Sequence, residues 1–333
     1  MSSTDLREGD GETRLKDAAR VRLADPAPGD ARDSSKQTFL NPADKVVIGY
    51  LAVTALLILI FSYRIQWWGL LFGGHAFLIA LVVLLARWRN SAHSAAALPL
   101  TLFVRGWYPV ALIPITYKEL SYLIPLIHPR DFDVELAAID QRFLGMHPTV
   151  WLERFTVPPL TEVLQLTYSS YYLLPVILGV VLWRKGWFEK FHFWVFIVVL
   201  GFYLSYLGYI AVPAIGPRFL PEIVQAQTKP LTGIWLFQPV RAMLDRAEGI
   251  TRDCFPSGHT ELTLLVLYYA HRFHRKTFWW LLPLGAGVII STVYLRYHYV
   301  VDVVAGALLT VAIVMMAKPL YRGLGGNEIR ESQ

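Results

Sequence analysis

Long apolar blocks alternate with polar connections along most of this chain. Eight blocks have the 17–25 mostly apolar residues that a helix needs to cross a bilayer. They cover 46–62, 68–86, 98–117, 162–183, 191–212, 257–273, 279–295 and 299–317. The pattern predicts an all-α polytopic membrane protein of about eight transmembrane helices. Pro99, Pro109 and Pro114 should kink the third. The sixth is short by hydropathy, because it opens on the polar run PSGH. Four regions follow: a disordered tail 1–44 with a possible helix over 12–23, two N-terminal spans in 45–97, a helical-bundle core over 98–320, and a short tail 321–333.

Composition agrees with the pattern. Hydrophobic residues make up 55% of the 333 positions and charged residues 17%, against about 25% charged in ordinary soluble domains. Mean hydropathy is +0.42. The net charge of +6 is read as an orientation signal rather than as a nucleic-acid footprint. Lys and Arg recur in alternate connections: Arg87 and Arg89; Arg184, Lys185 and Lys190; Arg272, Arg275 and Lys276; Lys318 and Arg322. The positive-inside rule makes that side cytoplasmic, with both termini inside. The opposite side then carries two long loops, 118–161 and 213–256, and the turn 296–298.

Trp67, Trp68, Trp107, Trp183, Trp187, Trp279 and Trp280 lie near predicted helix ends, as interfacial anchors do. Gly201, Ser205 and Gly208 are spaced for close helix packing. Phe132, Leu136, Ile139 and Phe143 have the spacing of a short amphipathic helix lying on the membrane surface. The single cysteine, Cys254, excludes an intramolecular disulfide and receives no chemical role.

Candidate chemistry collects on the outer side. His298 and Asp302 are four residues apart and share a helix face. A carboxylate there can accept the Nδ1 proton of the imidazole and leave Nε2 as nucleophile or base; a structural hydrogen bond is the plainer alternative. Pro256, Ser257, Gly258 and His259 open the sixth span. Pro suits the first turn, Gly allows close approach, and a helix N-terminus favours an anion. Ser257 adds a hydroxyl and His259 a proton, which suits holding a phosphate and protonating its leaving group. Arg218 follows the fifth span in PAIGPRF.

Together these segments resemble the type 2 phosphatidic acid phosphatase superfamily over about 100–317. The second motif of that superfamily, PSGH, is complete at 256–259. The third is matched at Ser291, His298 and Asp302, with Thr292 where the superfamily has arginine. The first is degenerate: Arg218 is present, but Ala211 stands at the lysine position. HYVVD at 298–302 and the segments 131–151 and 166–175 look like the branch that contains the inositol phosphorylceramide synthases and their bacterial relatives. The resemblance implies a helical-bundle phosphatase core without metal or other cofactor. It makes His298 the nucleophile, Asp302 its orienter and His259 the general acid, with Ser257, Gly258 and Arg218 on the phosphate. Arg296 could replace the arginine missing at 292, or snorkel at the interface.

The expected activity is therefore on a membrane lipid phosphate or phosphodiester, with water or an alcohol as acceptor. The expected place is a bacterial plasma membrane, with the site on its outer face. A non-catalytic lipid-binding or lipid-transport protein of the same fold is the alternative. A proton-path transporter fits less well, because its ionisable groups would sit nearer the midplane.

Overall fold

The computed structural model describes residues 39–91, 98–249 and 252–328, so the helix expected over 12–23 lies outside the described residues. Regular structure among them is entirely helical. The order is α1 (Pro42–Ile60), α2 (Trp68–Ser91), α3 (Leu98–Ile127), α4 (Asp133–Leu144), α5 (Pro148–Trp151), α6 (Pro158–Ser169), α7 (Leu173–Arg184), α8 (Phe188–Ala211), α9 (Pro221–Ala226), α10 (Phe237–Glu248), α11 (Gly258–Phe273), α12 (Arg275–Tyr294) and α13 (Val300–Gly323). The protein is an all-helical polytopic membrane protein.

Among the described residues, seven segments are long and apolar enough to cross a membrane, with α6 and α7 acting as one of them. The sequence pattern had suggested eight. The difference is α11, whose 16 residues reach about 24 Å at 1.5 Å per residue, short of a core about 30 Å thick. It nevertheless lies inside the bundle, with 11 of its residues buried. The apolar blocks also underestimate helix ends. Helix α1 begins at Pro42 because Asn41 and Asp44 form a capping box. Helix α3 runs on to Ile127 with Pro109, Pro114 and Pro125 inside it. The expected helix over 162–183 is interrupted by a 3₁₀ turn at Ser170–Tyr172. Pro175 accounts for the break, since its ring would clash with the carbonyl four residues earlier.

Helix α8 is the centre of the bundle. It packs against α1, α3, α7, α11 and α13, and it is the most buried of the seven spans. Its small residues have the role their spacing predicted. A Cβ on Gly208 would come 2.3 Å from Cδ of Pro256, and one on Gly201 would come 2.3 Å from Oε1 of Glu261. Small residues on α8 therefore let the N-terminal half of α11 lie directly against it. Gly306 of α13 does the same from the other side, where a Cβ would come 2.4 Å from the carbonyl oxygen of Ser257.

The other expected surface features divide. Trp67, Trp68, Trp279 and Trp280 are exposed, as anchors should be, whereas Trp107 is half-buried ten residues into α3. Helix α4 forms, but the side it turns to the bundle is Asp133, Leu136, Ala137 and Asp140. Phe143, expected on the apolar stripe, is 79% exposed. The reason is that the two aspartates have backbone donors to satisfy, as described below.

Buried ions tie α1 to α3. Asp44 accepts from both terminal nitrogens of Arg105 and from the hydroxyl of Tyr108, and Asp44 and Arg105 are both buried. Removing one partner of such a pair strands a charge, at a cost of about 3–5 kcal/mol. Arg105→Ala should lower the unfolding free energy by about that amount in a denaturing-detergent titration. Arg105→Ala combined with Asp44→Asn should recover part of it.

Candidate active site

Two chain reversals bring the polar segments to one place. Helix α12 ends at Tyr294, and the chain turns through Arg296 in the left-handed region at φ 67°. The carbonyl of Thr292 accepts from the N–H groups of both Tyr297 and His298, at 2.9 and 3.0 Å. Thr292, at the position where the resembled motif has arginine, is thus buried and gives its hydroxyl to Ile289 O at 2.6 Å. Helix α13 then starts with Tyr299 as its N-cap.

Asp302 holds this start together. Its Oδ2 accepts the Tyr299 N–H at 2.8 Å and the Cys254 thiol at 2.9 Å. The same oxygen lies 3.4 Å from Nδ1 of His298, so the predicted His–Asp contact is present. A nearer acceptor for that nitrogen is the Cys254 carbonyl, at 2.9 Å. Both acceptors call for the proton on Nδ1 and leave the lone pair on Nε2. That Nε2 faces Nδ1 of His259 at 3.4 Å. His259 Nε2 is buried without a hydrogen-bond partner.

Cys254 therefore bears on the site twice, with its carbonyl on the imidazole and its thiol on the carboxylate. Burial, followed by the Asp302 charge, pushes the thiol well up, so it stays protonated and donates. Cys254 Sγ, His298 Nδ1 and an Asp302 oxygen lie within 4.8 Å of one another. They are the residue types that bind metals, but here the thiol–carboxylate hydrogen bond already accounts for their approach.

Of the expected phosphate-binding residues, Ser257 is fully buried and caps α11, accepting from Thr260 N at 3.3 Å. Its own N–H goes to the Asp302 carbonyl at 3.0 Å, which docks the start of α11 on the start of α13. Gly258 leaves room for the Tyr209 hydroxyl, 2.3 Å from where a Cβ would stand.

Arg218 and Arg296 have separate surroundings. Arg218 pairs with Asp245 at 2.8 Å and lies 4.6 Å over the Tyr297 ring; its buried Nε has no hydrogen-bond partner. Tyr297 stacks on Tyr168 at 4.4 Å, Tyr168 on His259 at 4.5 Å, and Tyr171 covers the other face of His259 at 4.2 Å. One stack thus runs from the Arg218 guanidinium to the imidazole of His259. Arg296 turns to Glu153 at 2.9 Å, Gln227 Oε1 at 2.7 Å and the Lys229 carbonyl at 2.6 Å. The sequence offered it as a stand-in for the arginine missing at 292 or as a snorkelling residue; here its charge is paired with Glu153.

Two more residues escaped the sequence reading. Asp140 accepts from the N–H groups of Val300 and Val301 at 2.7 and 2.8 Å, capping α13 from outside. Asp133 accepts from Ile215 N, Gly216 N and the Tyr299 hydroxyl, at 2.9, 2.7 and 3.0 Å. Their spacing of seven residues, which puts both on one face of a helix, was the available signal.

With this geometry in hand, comparison with known proteins is informative. A model of the PAP2 superfamily matches residues 134–316, which hold every motif residue named above. The chain belongs to the PAP2 superfamily. One relative within reach is a PA-phosphatase related-family protein of Dictyostelium discoideum, 24% identical over 212 residues, 54% of this chain and 38% of that protein. Another is the bacitracin transport permease protein BcrC of Bacillus licheniformis, 46% identical over 59 residues, 18% of this chain and 29% of that protein. The chain thus covers well under two thirds of each relative's length. No solved structure matches it significantly.

The thiol contact gives a direct test of the site. In this PAP2-superfamily protein, Cys254→Ala should lower kcat about tenfold with KM nearly unchanged, the size expected when an outer hydrogen bond to a working side chain is cut. Cys254→Ser, which keeps a donor, should recover most of it.

Proposed function

We propose that the protein is a membrane enzyme that cleaves or transfers a lipid phosphoester through a phosphohistidine on His298. The observation that carries this reading is the pairing of the two rings: Nδ1 of His298 is anchored, and its Nε2 points at His259 from 3.4 Å. In the first step the Nε2 lone pair attacks phosphorus, the bond to the lipid or headgroup oxygen breaks, and His259 gives that oxygen a proton. The phosphoimidazolium keeps its Nδ1 proton, held by the Cys254 carbonyl and Asp302. In the second step water or an alcohol attacks phosphorus, His259 takes its proton, and the P–N bond breaks. Phosphoryl transfer of this kind depends chiefly on positioning and charge. We assign Arg218 to the phosphate, with the N-terminus of α11 beside it, and Arg296 to the clamp on the 227–229 loop.

Transfer to an alcohol, as in the inositol phosphorylceramide synthase branch, is the second reading. It is favoured by Thr292 at the arginine position and by HYVVD at 298–302. With α11 counted as an eighth, shorter crossing, both termini are assigned to the cytoplasm and the site to the opposite face of a bacterial plasma membrane. The core 98–320 is taken as the catalytic unit, with 45–97 as an added N-terminal pair. A non-catalytic lipid-binding or lipid-transport role is the competing outcome. The anchored ring pair argues for chemistry, because passive binding has no need of a fixed tautomer.

The mechanism predicts unequal losses. His298→Ala should abolish turnover of both a lipid phosphate and an activated aryl phosphate. His259→Ala should lose about 10²–10⁴-fold on the lipid and far less on the aryl ester, whose leaving group needs no proton. Asp302→Asn should fall between them. Arg218→Ala should raise KM, while Arg296→Ala should act mainly on thermal stability. Substantial activity in His298→Ala would refute the phosphohistidine. Inorganic phosphate release measured beside new lipid products, with and without an added polyol, separates water from alcohol.

Topology is tested separately on a Cys254→Ser background. A cysteine placed at Lys229 should react with an impermeant reagent in intact cells, and one at Lys185 should not. The reverse labelling would put the site in the cytoplasm.

A further inference from the structure

A cavity of about 400 Å³ opens against His259. Its rim is polar: Lys118 reaches the Ala247 carbonyl, and Asp253 accepts from the Tyr117 hydroxyl at 2.6 Å. From there its walls descend between α3, α7 and α8 and become apolar, ending at Val110, Pro175, Val176 and Val198. Those four residues also wall a smaller void of about 10 Å³, which is closed by Trp107, Phe191 and Trp194. The indole of Trp107 crosses this floor because Gly179 has no side chain; a Cβ there would meet it at 2.9 Å. Trp194 is pinned by its Nε1–H, which donates to the Pro175 carbonyl at 3.0 Å.

The depth follows from the helix that lines it. From Tyr209 at the rim to Val198 near the floor is 11 residues of α8, which is about 16 Å at 1.5 Å per residue. One leaflet of hydrocarbon is about 15 Å. The cavity is therefore one leaflet deep, polar at the His259 end, apolar below and closed by two indoles.

We propose that this cavity holds a single hydrocarbon chain of the substrate, and that Trp107 and Trp194 form a floor that limits its length. The inference rests on the lipid-phosphoester reading above. It goes beyond it by assigning a tail site and a specificity-determining residue. The occupant follows from the walls: only a chain that is apolar along its length and carries its polar end at His259 matches both ends. His259 joins the two places, since it lines this cavity and its Nδ1 lies 3.4 Å from Nε2 of His298.

The test uses the full-length protein in detergent and a series of single-chain alkyl phosphates of increasing length. With the wild type, kcat/KM should rise with length and then fall. Trp107→Ala should move the maximum to longer chains. Val176→Trp, which fills the lower cavity, should raise KM at least tenfold for long chains and leave the shortest substrates unchanged. A maximum unmoved in both variants would overturn the floor. A tail-binding readout that needs no turnover uses His298→Ala and an alkyl phosphate carrying a diazirine at its far end. Crosslinks should map to the floor, at Trp107, Phe191 or Trp194. Crosslinks confined to the lipid-facing surface of the bundle would overturn the tail site. Failure of the wild type to turn over any length, with crosslinks still at the floor, would refute the catalytic reading while leaving the tail site standing.

Discussion

The site depends on one buried carboxylate. Asp302 is fully buried, and an isolated charge there would be costly. It is supported by a backbone N–H, a thiol and an imidazole, and its own carbonyl receives the Ser257 N–H. Each donor comes from a different part of the site: the cap of α13, the segment before PSGH, and the turn after α12. The group that contacts His298 also ties together the segments that carry the motif residues. For that reason the PSGH segment and the turn at His298, 39 positions apart at His259 and His298, can be held within hydrogen-bond reach.

A similar device recurs around the site. Asp133 caps Ile215 and Gly216, Asp140 caps Val300 and Val301, Glu153 holds Thr228 and Lys229, and Glu162 accepts from Ile234, Trp235, Leu236 and Phe237. All four acids lie in the segment 133–162, and each takes backbone N–H groups from a chain segment beyond α8. Backbone donors removed from water need acceptors, and long loops with little regular structure leave many of them open. A set of carboxylates from one neighbouring segment satisfies them. The loops therefore have defined positions over the bundle, although α9 and α10 are short.

Much of this architecture was legible in the sequence. Apolar blocks located every long helix, because a span must be both long and apolar. The motifs singled out His259, His298 and Asp302, and the structure brings these three side chains together, although His298 lies just before α13 rather than on it. What was not legible depended on contacts between distant segments. Asp133 and Asp140 looked like part of a mixed-charge loop, since nothing in the sequence shows which donors they meet. Cys254 looked inert for the same reason. Arg296 looked like a candidate phosphate ligand because its partner Glu153 lies 143 residues away in the chain. Hydropathy also could not tell that Trp107 faces inward, because an anchoring tryptophan and a floor tryptophan have the same composition around them.

The arginines show how such contacts decide function. A cation can bind a substrate phosphate only if its fixed partners leave donors unspent. The guanidinium of Arg296 spends its terminal nitrogens on Glu153, Gln227 and the Lys229 carbonyl, and recruiting it to a phosphate would release the 227–229 loop. Arg218 keeps a buried Nε without a partner and has its planar face over Tyr297. Asp245, its carboxylate partner, is 44% exposed in its side chain, so water would solvate that acid if Arg218 turned, as proposed, to an anion. The exchange costs one exposed ion pair, worth roughly 0–1 kcal/mol, and gains a charge-assisted bond in a more enclosed place. Thus the arginine nearer His298 in sequence is tied to the loops, whereas Arg218 keeps one donor unspent.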